Sequence, residues 1–154
     1  MKLKDAEKLA RGLLDDIGLT CIPFKFSNSK RRLGGCAFSR YKEKWIPIYL
    51  TLSKHFVLLN KKKVIKNAIL HEMAHIVAGR DHFHDEVWKE WAEYFGADPC
   101  YGDFEAKVIE GRYRGVCTVC GEIHYRYRKS KSINDVFLCS CKEGKVKFKD
   151  TMKG

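Results

Sequence analysis

Two histidines four residues apart, in the middle of the longest helix-patterned stretch, constrain this chain more than any other feature. His71-Glu-Met-Ala-His75 lies inside an apolar stripe traced by Val64, Ile65, Ala68, Ile69, Met73, Ile76 and Val77 and ended by Gly79. Four residues on a helix turn about 400°, so both imidazoles leave one face about a turn apart and can grip one metal ion. Glu72 stands between them, placed to take the proton of a water on that metal. Zn²⁺ in such a site lowers the pKa of bound water to roughly 7 and polarises a carbonyl. The five residues alone also arise by chance, and a helical histidine pair can merely cap or fill, so the flanks carry the decision.

An open zinc site usually has three protein ligands and one water. The dozen residues after His75 offer Asp81, His82 and His84. His84 is the preferred third ligand. It precedes Trp88 by four residues, at the start of a second helical stripe (Val87, Trp88, Trp91, Ala92, Phe95) closed by Gly96. A turn between the two helices can fold it back over the first pair. His82 is the runner-up, with a substrate contact as its other role. Asp81 comes third, since it can pair locally with Arg80.

Elsewhere in the N-terminal two thirds, Leu3, Ala6, Leu9, Ala10, Leu13, Leu14 and Ile17 predict a helix capped at Gly18. Ile22 to Phe26 alternates as a strand, a second strand ends near Ser39, and Trp45 to Leu52 makes a third. Pro47 cannot donate a ladder hydrogen bond, so the third strand is expected at a sheet edge or bonded on one side only there. Ser53 is a helix start. Beyond Pro99 come short alternating segments, Arg112 to Val116, Ile123 to Arg128, Val136 to Leu138 and Lys145 to Phe148, punctuated by Cys and Gly.

Those segments surround four of the seven cysteines. Cys117-Thr-Val-Cys120 is a knuckle, and Cys139-Ser-Cys141 supplies a second pair, so together they read as a zinc ribbon. Four thiolates leave no open position for chemistry, so this zinc is structural, with His124 as an alternative to one thiolate. Cys21, Cys36 and Cys100 stand alone and read as small buried hydrophobes. No secretory signal or apolar run of ~20 residues appears, which predicts no membrane span and an intracellular protein, cytoplasmic or nucleoid-associated.

Lys and Arg outnumber Asp and Glu by 30 to 19, a formal net charge of +11, which suits a polyanionic partner. Lys61-Lys62-Lys63 reads equally well as the solvated face of a helix. From Arg112 to Lys131 cations and aromatics interleave. Arg112, Arg114, Tyr125, Arg126, Tyr127, Arg128 and Lys129 are candidate contacts to single-stranded DNA, with Tyr125 and Tyr127 on one face and Arg126 and Arg128 on the other. The alternative is a ribbon core made of the tyrosines with solvated arginines outside.

His71-Glu-Met-Ala-His75, Ala78-Gly-Arg-Asp-His-Phe-His84-Asp-Glu-Val-Trp88 and Phe95-Gly-Ala-Asp-Pro99 together resemble the core of SprT-like, Spartan-type proteins. In that family the third ligand is a His followed four positions on by Trp or Phe, which falls on His84; Asp85-Glu-Val87 replaces the usual Gly-Pro-Glu between them. The resemblance implies an α+β mini-zincin over residues 1–104, with a helix, a three-stranded sheet and two metal-binding helices, and a zinc ribbon over 105–154. It further implies a monomeric zinc endopeptidase with one catalytic and one structural zinc. Its substrates would be proteins bound or crosslinked to DNA, with Glu72 as general base. The competing expectation is a nonenzymatic DNA-binding module with both zincs structural.

Overall fold

The apolar spacing near the N-terminus becomes α1, Leu3–Asp16, which buries Ala6, Ala10 and Leu14 on one stripe and stops at Ile17. The computed structural model describes residues 1–98, 106–129 and 137–152. Two units form, Met1–Ile109 and Glu110–Gly154. Both combine small sheets with turns, and the first adds helices, so the chain is α+β.

In the first unit α1 is followed by β1 (Phe24–Ser27), β2 (Gly34–Tyr41), β3 (Lys44–Ser53), α2 (Lys54–Leu59), α3 (Lys62–Ala78) and α4 (Glu86–Tyr94). The sheet order is β1-β3-β2, with β1 parallel and β2 antiparallel to β3. Leu50 and Leu52 of β3 are fully buried with Ile65, Ile69 and Met73 of α3, Leu14 of α1 and Trp88 of α4. Each such aliphatic side chain contributes roughly 1.5–3 kcal/mol by leaving water.

Of the two placements expected for the strand that holds Pro47, a sheet edge or bonding on one side only there, β3 takes the second. It is central, because β1 pairs with its C-terminal end, Leu50 to Ser53. Around Pro47 only β2 flanks it, and there the ladder slips: Ala37 faces Tyr49 but Phe38 faces Pro47, leaving Ile48 as an extra residue. A β-bulge tolerates the missing N–H and bends the strand.

Ser53 caps α2, its Oγ accepting from the Phe56 N–H at 3.3 Å. The helical run then breaks at Asn60, whose Nδ2 donates back to the Phe56 carbonyl at 2.8 Å and to the Lys107 carbonyl at 2.8 Å, before α3 begins. Lys61, Lys62 and Lys63 are exposed at its start.

The second unit holds β4 (Tyr113–Cys117), β5 (Ile123–Arg126), β6 (Phe137–Leu138) and β7 (Lys145–Asp150), ordered β5-β4-β7-β6 and antiparallel throughout. Among its described residues the buried apolar cluster is Cys117, Cys139 and Val146, with Cys141 and Phe148 against it. Such a core is too small to stand alone and calls for a staple. Cys100 and Val136 lie outside the described residues. Among the described residues no helix is long and apolar enough to cross a membrane.

Candidate active site

Helix α3 buries almost everything on its core side, including two residues that would not normally go there, His71 (3 % exposed) and Glu72 (6 %). His71 and His75 are a turn apart on that helix. The chain after α3 then brings His84 back to them. His84 Nε2 lies 3.0 Å from His75 Nε2 and 3.1 Å from His71 Nε2. His84 adopts a left-handed backbone, φ 56°, uncommon for a residue with a side chain and characteristic of sites where geometry is imposed by neighbours. Trp88, 1 % exposed, packs on all three rings, with centroid separations of 4.4 Å to His84, 4.6 Å to His71 and 5.2 Å to His75.

The electrostatics favour neutral rings. Burial, then the adjacent His75 and His84, pull His71 down to about 3. Burial and His84 pull His75 down to about 4, against a hydrogen bond to the His82 backbone that raises it. Three ring nitrogens so close cannot all carry protons, and a cation at their centre satisfies all of them at once. The donor set fits a three-histidine zinc site with a fourth position left for water.

The two other candidates for the third position are held elsewhere. His82 Nδ1 is 2.7 Å from Asp85 Oδ2, and Asp85 Oδ1 accepts from the Trp88 N–H at 3.1 Å. Asp85 is thus the N-cap of α4, and that N–H, then His82, holds its carboxyl below the usual range. Asp81 lies 4.0 Å from Arg80.

Glu72 lies in the same cleft, of about 790 Å³, as the three histidines. Burial pushes its carboxyl up to about 7, opposed by a hydrogen bond from the Cys36 backbone N–H. It rests so closely on β2 that a Cβ on Gly34 would come within 2.9 Å of Glu72 Oε1 and 3.1 Å of its Cγ. The roles of Gly34 and of the Cys36 backbone were not read from the sequence, where the glycine pair that opens β2 was the available signal. Cys36 itself is half-buried, packing against the core cluster as expected while also lining the cleft, and burial followed by Glu72 pushes its thiol up to about 12. Cys21 is exposed because it falls in the turn between α1 and β1, which corrects its reading as buried.

In the second unit Cys117, Cys120, Cys139 and Cys141 bring four sulfurs within 4.8 Å of one another. Cys117 Sγ is 3.7 Å from Cys141 Sγ, and Cys120 Sγ 3.6 Å from Cys139 Sγ. Backbone N–H groups of Val119 and Gly144 point at Cys117 and Cys141 at 3.4 and 3.3 Å, the pattern that steadies thiolates. Hydrogen bonds from Val119 and Cys120 hold the Cys117 thiol down to about 6. His124 Nε2 sits 3.2 Å from Cys139 Sγ, beside the four-sulfur set. This cluster fits a structural zinc.

The candidate DNA contacts separate into two groups. β5 ends at Arg126, and its inward face carries His124 and Arg126, so the arginine is not free on an outer face. Its guanidinium lies 4.2 Å from the Phe148 ring centroid and 5.2 Å from that of Phe137. Phenylalanines and an arginine, not the tyrosines, fill that side. Arg112 forms a bidentate pair with Asp150, 2.9 to 3.1 Å. On the outward face Arg114 stands opposite Tyr125 and Lys149, with Lys145 and Lys147 along β7. Arg128 and Lys129 are exposed and Tyr127 half-buried. The β7 lysines were missed, although their alternation in Lys145-Val-Lys-Phe-Lys149 was a legible signal.

A sequence model of the SprT-like family matches residues 6–109. No curated protein and no solved structure matches the chain.

Proposed function

The chain belongs to the SprT-like family, and on that premise we propose that it is a zinc-dependent endopeptidase acting on proteins bound or crosslinked to DNA. The convergence of the His71, His75 and His84 rings beside Glu72 on the floor of one cleft carries the reading. Zn²⁺ held by those nitrogens supplies a Lewis acid for the peptide carbonyl and a positive charge that favours ionised Glu72. Glu72, buried beside the three histidines, accepts the proton of the attacking water and returns it to the leaving amine. An extended peptide has β2 available for backbone pairing, since β2 is the edge strand on the cleft side, in place of the central β3. The four-cysteine zinc holds the second unit, whose outward Arg114, Tyr125, Lys147 and Lys149 suit a single strand by phosphate contacts and base stacking.

Glu72→Gln tests the enzyme. The variant is expected to keep two zinc ions per chain by elemental analysis and to lose about 10²- to 10⁴-fold in proteolysis of a DNA-bound protein. Undiminished cleavage removes Glu72 from the chemistry. The basic outer face favours a second reading, a binding module with two structural zincs, and for that reading wild type and variant alike cleave nothing. In either case Arg114→Glu with Lys147→Glu is expected to flatten the salt dependence of single-strand binding, by about 0.7 in the log–log slope for each phosphate that is no longer neutralised.

A further inference from the structure

The cleft is lined by Arg31, Arg32 and Arg80, and among the described residues of its lining Glu72 is the only carboxylate. Arg80 is held there by two local features. Helix α3 ends at Gly79 with φ 96° and ψ 164°, a combination open essentially to glycine alone, so the chain leaves the helix abruptly. The Arg80 guanidinium then lies 3.8 Å from the centroid of the Trp45 ring. Trp45 is there because of the bulge at Ile48. Strict alternation from Leu52 and Leu50 would put Ile48 and Ile46 on the inner face, yet both are 44 % exposed, whereas Trp45 is half-buried under Arg80.

This cation is poised but not neutralised. Among the described residues its carboxylate partner is Asp81, 4.0 Å away with a side chain 75 % exposed, a solvent-screened pair of little strength. Arg31 and Arg32 are fixed by a turn in which both backbone N–H groups donate to Ser29 Oγ, at 3.2 and 2.9 Å. Among the described residues neither guanidinium lies within ion-pair distance of a carboxylate. Between these cations the wall is apolar: Phe38 on β2, Leu33 before it, and Phe83, 74 % exposed, next to His84.

We propose that the cleft selects peptides carrying an acidic side chain beside an apolar one, with Arg80 as the specificity-determining cation and Trp45 as the residue that positions it. The guanidinium fork matches a carboxylate in bidentate fashion, and the exposed ring of Phe83 with the half-buried ring of Phe38 takes the apolar neighbour. A volume of about 790 Å³ accommodates a few side chains. A single strand of nucleic acid would use the same guanidinium groups with stacking on Phe38 and Phe83, so it is the alternative occupant for the test; the peptide is favoured because the histidine cluster and Glu72 line this same cleft. Cleavage of such peptides rests on the peptidase reading above; their binding does not.

The test uses full-length, zinc-loaded Glu72→Gln protein and two fluorescent peptides that differ only in Glu or Lys on either side of a central Phe, followed by anisotropy. The acidic peptide is expected to bind about tenfold tighter, as for a hydrogen bond to a charged group. Arg80→Ala should abolish the preference, Arg80→Glu reverse it, and Trp45→Ala weaken it while the charge remains, with Arg80→Lys giving partial rescue. Equal affinities for the two peptides overturn the proposal. So does a short single-stranded oligonucleotide that displaces the acidic peptide and loses as much affinity on Arg80→Ala. If the acidic peptide binds as expected but the wild-type protein cleaves neither, the inference stands and the peptidase reading falls.

Discussion

Glu72 and Gly34 compete for one small volume. The carboxylate reaches its place only because β2 presents no Cβ there, and the next donor along the strand, the Cys36 N–H, holds it. A methyl at residue 34 would meet Leu52 at 3.0 Å as well as Glu72, so the flexible glutamate is the partner that must yield. Gly34→Ala is therefore expected to lower kcat by about 10- to 100-fold through misplacement of the base. Zinc content should not change, because the atoms nearest to an added methyl belong to Glu72 and Leu52 and not to the histidines. Steady-state kinetics on a quenched peptide, paired with metal analysis, reads both. Unchanged kcat would mean that Glu72 does its work from another position, and lost zinc would mean that the strand supports the histidines directly.

At the scale of elements, the third histidine depends on how α4 begins. Asp85 caps that helix through the Trp88 N–H and at the same time ties His82, so the residue after His84 fixes both the helix start and the loop before it. Asp85→Ala is expected to weaken zinc binding at the histidine site by about 10- to 100-fold, the usual effect of losing a residue that orients a ligand. His82→Ala should do much less, because the cap survives. Competition with a chromophoric chelator measures both, and a His82 loss as large as the Asp85 loss would make His82 a ligand. Much of this was legible beforehand: the i, i+4 spacing and the stripe from Val64 to Val77 place two histidines on one face of α3, and the His84-to-Trp88 interval anticipates the packing of those rings. The bulge was not legible, because Trp45 to Leu52 reads as unbroken alternation and only the partner strand reveals the extra residue. Nor was the reach of Arg126 across Phe148, since periodicity assigns a face without saying what covers it.

Among the described residues of the unit Met1–Ile109, the titrations of His71, His75 and Glu72 shape the response of the metal-free molecule between pH ~4 and ~7, and they differ in sign. His71, at about 3, and His75, at about 4, lie below their ordinary 6.5, so on acidification the unfolded chain binds protons that the folded one refuses. Their contribution to stability is complete above pH 6.5 and is lost as the pH falls through 4 toward 3. Glu72 is raised from 4.5 to about 7, so its contribution is present below 4.5 and lost as the pH rises through 7. Two groups against one leave the unfolded state with an excess of roughly one proton near pH ~5, so stability should climb from pH ~3 and level off near ~7. Trp45, Trp88 and Trp91 all lie in this unit, so urea unfolding followed by tryptophan fluorescence in EDTA reports its stability directly. Glu72→Gln removes the opposing titration, and the slope near pH ~5 should then approach about two protons. Zinc steepens the dependence in the wild-type protein, since its ligands must be neutral to bind it and its binding favours only the folded state. A metal-free denaturation midpoint that does not move between pH ~3 and ~6.5 would require the folded state to take up protons at His71 and His75 as readily as the unfolded chain. With His84 Nε2 only 3.0 and 3.1 Å from theirs, that would require the rings to have separated, and the metal site would not exist as described.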